Sequence, residues 1–236
     1  LGTPVVTLGI HIAAPGLAIQ PDDPIDQLAR TRMSTVYMPG YKITMLPDSV
    51  VNQYTLAAGQ DCPALSLYVE FDANDLSVLN TVTKLERVTI AENLRHDQLG
   101  DVFNDAYFDD PAPNSQPNWG SELRWLNRLA KHLKAQREVV RGKPENFNRP
   151  DYTFKLDKPG SPDDFPTGDE VVRIGVRPRG SALDLIVAEA MIVANSTWGQ
   201  WLGQMGVPGI YRSQASLAPG NKVRMVERRR HWSNDG

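Results

Sequence analysis

From Ser181 to Gly203 the chain is apolar almost all round. Leu183, Leu185, Ile186, Val187, Met191, Ile192 and Val193 fall in a window with helical ends, about 182–202. Ser181, followed three residues on by Asp184, makes a capping-box-like start, and Gly203 and Gly206 supply the stop. A helix with apolar residues on every side has no face to give to water, so the pattern predicts a long buried helix at the centre of a domain. Glu189 is the lone acid past the first turn of this helix, and a buried acid calls for a nearby Arg or a backbone group. A chain of 236 residues is long enough to build a sizeable core around such a helix.

The remaining patterns say what surrounds it. Val6, Leu8, Ile10 and Ile12 share one parity, as the apolar face of a strand requires. Leu65, Leu67, Val69 and Phe71 alternate with Ser66, Tyr68 and Glu70, turn at 72–75, and return through a second alternating run to give a hairpin over 63–92. Further strands are predicted over 151–156 and 170–177, with a turn-rich insertion between them. A short helix containing His96 is expected over 93–103, and residues 109–120 read as a polar, proline-rich loop. Ser121 stands where a cap would open a helix over 122–141, with Leu123, Leu126, Leu129, Ala130 and Leu133 on one face. Its other face carries Arg124, Arg128, Lys131, Lys134, Arg137 and Arg141, set either to meet phosphate or to sit in solvent. Pro208 to Tyr211 read as the start of a last strand. Strands and helices are interspersed without regular βα alternation, which predicts α+β: a mixed or antiparallel sheet packed around the long helix.

Residues 9–56 carry the motifs. After the first strand, Pro15, Gly16, Pro21 and Pro24 make a loop, Asp26 is a plausible N-cap for a short helix, and Tyr37 stands at the mouth of a turn, Tyr37-Met38-Pro39-Gly40. Leu46-Pro47-Asp48-Ser49 restarts a helix. Four matches stand in order: Gly9-Ile10-His11-Ile12-Ala13, Asp26-x-x-Ala29-x-x-Arg32, Ser34-Thr35-Val36-Tyr37-Met38-Pro39-Gly40 and Met45-Leu46-Pro47. Arg149-Pro150-Asp151-Tyr152, the run from Val187 to Asn195, and Gly209-Ile210-Tyr211-Arg212 continue them. In this order and spacing the chain resembles the catalytic (RNB) domain of the ribonuclease II / ribonuclease R family. The resemblance covers roughly residues 5–225, so residues 1–225 are expected to be a partial RNB domain and 226–236 an unmatched tail.

The resemblance implies a 3′→5′ exoribonuclease that degrades single-stranded RNA processively by metal-assisted hydrolysis, with Mg²⁺ as the metal. It implies that the metal-binding aspartates lie ahead of the strand starting near Val5. The chain opens at Leu1 rather than an initiating Met, so it is expected to be a fragment, incomplete at both ends, without catalytic or metal-binding residues and inactive alone. What the resemblance leaves within the chain are RNA-holding positions. Tyr37 falls on a tyrosine that stacks on bases, Phe147 on a phenylalanine that clamps the other side of the stack, and His96 where a substrate-contacting tyrosine is common. Two departures mark a divergent branch: Ala14 where Asp is common, and Ala188 where the first Glu of a pair contacts substrate.

Composition limits these implications. The net charge is −3, so any grip on RNA must concentrate its positive charge locally. Cys62 is the only cysteine, which excludes an intramolecular disulfide and fits a reducing, cytoplasmic compartment. No run reaches the roughly 18 apolar residues of a membrane span, so a membrane is not an expected partner, and the resemblance implies RNA rather than DNA. Asp22, Asp23 and Asp26 resemble a carboxylate site but read better as a loop and helix cap. Two other functions remain open: a non-catalytic RNA-binding module on the same scaffold, and an interaction protein without RNA binding.

Overall fold

The fold is that of a computed structural model, and the structure describes residues 4–111, 117–145, 151–157, 166–177 and 180–211. Strand β1 (Val5–Ala13) is followed by helix α1 (Pro24–Arg32), the short strands β2 (Val36–Met38) and β3 (Tyr41–Ile43), and helix α2 (Asp48–Tyr54). The long strands β4 (Asp61–Asp72) and β5 (Val78–Thr89) come next, then the short helices α3 (His96–Leu99) and α4 (Asp105–Asp109). Helix α5 (Gly120–Arg141), strands β6 (Asp151–Asp157) and β7 (Val171–Arg177) and helix α6 (Ala182–Gln204) complete the described chain. Two units divide it within α6, Leu1–Ala194 and Asn195–Gly236. In the second, Tyr211 donates its hydroxyl proton to the Gly199 carbonyl at 2.9 Å.

Every strand pairing among the described residues is antiparallel: a three-stranded sheet in the order β1-β4-β5, and two hairpins, β2-β3 and β6-β7. The alternation that predicts β1, β4 and β5 holds, because β4 lies in the middle and buries Leu67, Val69 and Phe71. Trp125 of α5 meets the Phe71 ring edge-on. Toward the other end of β4, Cys62 donates its thiol proton to the Thr55 carbonyl just past α2. A second cluster joins Phe103, Leu123 and Leu183, with Tyr107, Phe108 and Ile186 packed against it.

Several local expectations are corrected. Asp23, not Asp26, is the N-cap residue of α1; Asp26 lies in its first turn and accepts the Asp22 backbone N–H at 2.8 Å. Three cap-forming carboxylates in five residues leave the start ambiguous in sequence. Trp119, in the left-handed conformation at φ 65°, precedes α5, so Ser121 is already helical. The helix containing His96 is a single turn, and α4 forms in the stretch between it and the expected loop, with Asn104 accepting the Tyr107 N–H at 3.1 Å. Helix α6 continues through Gly203 to Gln204, and no strand forms at 208–211. The expected all-round burial of α6 fails as well. Ala182, Leu183, Glu189 and Ala194 are buried, while Val187, Met191 and Ile192 are exposed.

Candidate functional site

The turn that presents Tyr37 is built by two residues. Pro39 and Gly40 link Met38 to Tyr41, and Gly40 has φ +68°, the left-handed value that a turn with Pro ahead of Gly requires. A Cβ at Gly40 would stand 2.6 Å from Leu156 Cδ1, so the turn lies directly on β6. The flanks are pinned: Arg32 donates to the Thr44 carbonyl at 2.7 Å, and the Met45 N–H donates to Thr35 Oγ1 at 3.1 Å. Met38, Pro39 and Tyr41 line a shallow groove of about 270 Å³ with Leu156, Pro166 and Val172. Tyr37 stays 78% exposed. An exposed aromatic ring on a pinned hairpin offers a π-face without paying to order it.

A second cavity, of about 290 Å³, lies between α5, the start of β6 and α6. Lys134, Arg137, Glu145, Asp151, Asp184, Ala188 and Glu189 line it. The Glu189 side chain is 3% exposed and accepts a bond from Arg137, whose other terminal nitrogen donates to Glu145 at 2.7 Å. Arg141 also reaches Glu145, at 3.2 Å. Burial pushes the Glu145 carboxyl up, but Arg137 and Arg141 outweigh it and hold the group below its ordinary range. Burial likewise opposes the Arg137 charge, and its two carboxylate partners more than restore it. The buried acid of α6 therefore has an arginine partner, as burial requires. Ala188 faces the same cavity with a methyl group.

The basic face of helix α5 bonds to groups of the chain itself while Arg128, Lys131 and Arg141 stay exposed. Arg124 donates to the Tyr107 carbonyl at 2.5 Å and Arg128 to the Ala73 and Asn74 carbonyls at 3.2 and 2.6 Å. Lys131 pairs with Asp109, Lys134 with Glu138, and Arg137 and Arg141 with Glu145. All six cations are engaged within the chain. Arg124, Arg128, Lys131 and Arg137 fasten α5 to other elements, which a charge pattern along one helix cannot reveal, while Lys134 pairs within the helix.

His11 and several acids outside these sites have structural partners too. His11 Nδ1 lies 2.8 Å from Ser66 Oγ, and Tyr68 donates to Glu86 Oε1 at 2.7 Å, with Lys84 over the Tyr68 ring. Hydrogen bonds to Glu86 from Tyr68, and then from Ser66, hold its carboxyl below its usual range. Asp22 and Asp26 both pair with Arg30. No group of three His, Cys, Asp or Glu among the described residues has the arrangement to hold a metal ion. Among the described residues no helix is long and apolar enough to cross a membrane. Of the RNA-holding positions, Tyr37 is displayed. The backbone of His96 opens α3, but its side chain lies outside the described residues, as does Phe147.

A family model of the RNB domain matches residues 3–229. The chain belongs to the RNB domain family. It is 30% identical over 214 residues to exoribonuclease 2 of Haemophilus influenzae (strain PittGG), covering 89% of this chain and 30% of that protein. It is 31% identical over 218 residues to exoribonuclease 2 of Edwardsiella piscicida, covering 90% and 31%. The chain thus spans about a third of the length of these relatives. Among solved structures, Mycoplasma genitalium RNase R in complex with double-stranded RNA aligns with a TM-score of 0.67 at 17% identity, over 85% of this chain and 33% of that one. An active-site mutant of the Dss1 exoribonuclease from Candida glabrata aligns with a TM-score of 0.68 at 19% identity, over 88% and 28%. These structures share the RNB-type α+β fold.

Proposed function

We propose that this RNB chain is the RNA-holding part of a 3′→5′ exoribonuclease of the ribonuclease II type, acting processively on single-stranded RNA. The observation that carries the reading is Tyr37, a displayed aromatic ring on a braced hairpin. Stacking suits a processive enzyme because every base has a π-face, so grip does not depend on sequence; each stack contributes roughly 1–3 kcal/mol. His96 and Phe147 are the other proposed RNA contacts. Mg²⁺ is the proposed metal for the hydrolysis, as the family resemblance implies.

Ala188, which turns a methyl group into the cavity where the resemblance implies a substrate-contacting glutamate, favours a second reading, an RNB-scaffold module that binds RNA without cutting it. A degradation time course separates the two. With 5′-labelled single-stranded RNA and the full-length gene product, stepwise shortening that needs Mg²⁺ and stops with chelator supports the exoribonuclease. Binding without shortening supports the module. The 236-residue chain run alongside is expected to bind RNA and leave it intact. Cutting by that chain alone would return Asp22, Asp23 and Asp26 to consideration as ligands.

A further inference from the structure

The register of the β2-β3 hairpin places Lys42 directly opposite Tyr37. Residues directly opposite in an antiparallel pair emerge on the same face, with Cβ atoms roughly 5 Å apart. The neighbouring pair, Met38 and Tyr41, belongs to the other face, and it is this pair that lines the groove with Leu156 and Val172. One side of the hairpin is thus turned toward β6 and β7, and the other presents Tyr37 and Lys42 together, both exposed.

The Lys42 charge is uncommitted, unlike the cations of α1 and α5. The α5 cations, Arg30 and Arg32 all bond to groups within the chain. Lys42 has no ion-pair or hydrogen-bond partner among the described residues. A net charge of −3 gives no general attraction for a polyanion, so a local uncommitted cation matters. An aromatic face beside a free ammonium matches the two halves of a nucleotide, a flat base and a charged phosphate.

We propose that Lys42 is a phosphate-binding residue of the Tyr37 platform, holding the backbone of the strand whose base lies on the ring. This rests on the RNA-holding reading of Tyr37. The ammonium adds an electrostatic grip that is blind to sequence, as stacking is, so the pair binds a nucleotide without selecting one.

The test is fluorescence anisotropy of a labelled oligouridylate with the 236-residue chain, in chelator, from about 50 to about 200 mM salt. Replacing Lys42→Gln is expected to weaken binding and to reduce the slope of log affinity against log salt by about 0.7, the value of one phosphate contact on a single strand. Lys42→Arg should keep the slope. Tyr37→Ala should weaken binding about fivefold or more and leave the slope unchanged, because stacking releases no counterion. An unchanged slope in Lys42→Gln, with Tyr37→Ala still weakened, overturns the assignment of Lys42 and spares the reading of Tyr37. If Tyr37→Ala binds like the parent chain, or the parent chain does not bind, the platform fails and the Lys42 proposal fails with it. Thermal unfolding of each variant should match the parent, since both side chains are exposed and neither fills the core.

Discussion

Glu189 is where a single side chain decides how α5 and α6 meet. Its carboxylate is buried at 3% exposure against an Arg137 side chain that keeps 28%. Removing the charge with Glu189→Gln leaves Arg137 one partner, Glu145. Because Arg137 can regain water, the loss should be about 2–3 kcal/mol, under the cost of breaking a fully buried pair. A lower urea midpoint with an unchanged slope would show it. The double change Arg137→Met with Glu189→Leu should recover much of that loss, since well-packed apolar side chains replace buried ion pairs at little cost. Glu145 adds a pH dependence. Its folded pKa lies below its ordinary value of 4.5, so its stabilising effect is complete above that value and fades as pH falls through the folded pKa. Stability of the parent chain and of Glu145→Gln should therefore converge in acid below about pH 4.5. A gap that stays constant down the acid limb would mean that Glu145 is not held by its arginines.

At the scale of elements, α5 behaves as a brace. Arg128 joins it to the β4-β5 turn through two carbonyls, and Arg124 and Lys131 join it to α4 and its end. Arg128→Ala should cost about 1 kcal/mol, because a charged donor is lost at an exposed site, and lower the melting temperature by about 2–4 °C. The salt slope of RNA binding should not change, which separates a brace from a phosphate contact. Such roles explain what was legible. Strand β1, the β4-β5 hairpin and α5 could be read because period and parity are properties of one segment. Helix α4 could not, since five residues are too short to show a period. The existence of α6 was readable but its burial was not: periodicity says which residues are apolar, not what covers them. Tyr37 stood out because a motif surrounds it. Lys42 became visible only through the register of two short strands, and the α5 cations only through their partners on other elements.

Across the whole molecule, apolar surface remains open on one face of the β6-β7 hairpin. The register pairs Tyr152 with Val176 and Phe154 with Ile174, and all four are exposed, while the next pair, Leu156 and Val172, lines the groove beside Met38 and Tyr41. Val187, Met191 and Ile192 of α6 are exposed as well. Contiguous apolar faces of this kind drive association when nothing covers them. The 236-residue chain should therefore self-associate as its concentration rises, and the hairpin face should be a main contributor. Ile174→Thr tests this at a position 66% exposed. Threonine keeps the β-branch that suits a strand, so stability should stay within about 0.5 kcal/mol of the parent chain. Light scattering over a concentration series should show less association for the variant. A large loss of stability without any change in association would mean that Ile174 packs inside the chain in solution, and that the hairpin lies closed over its apolar face rather than presenting it.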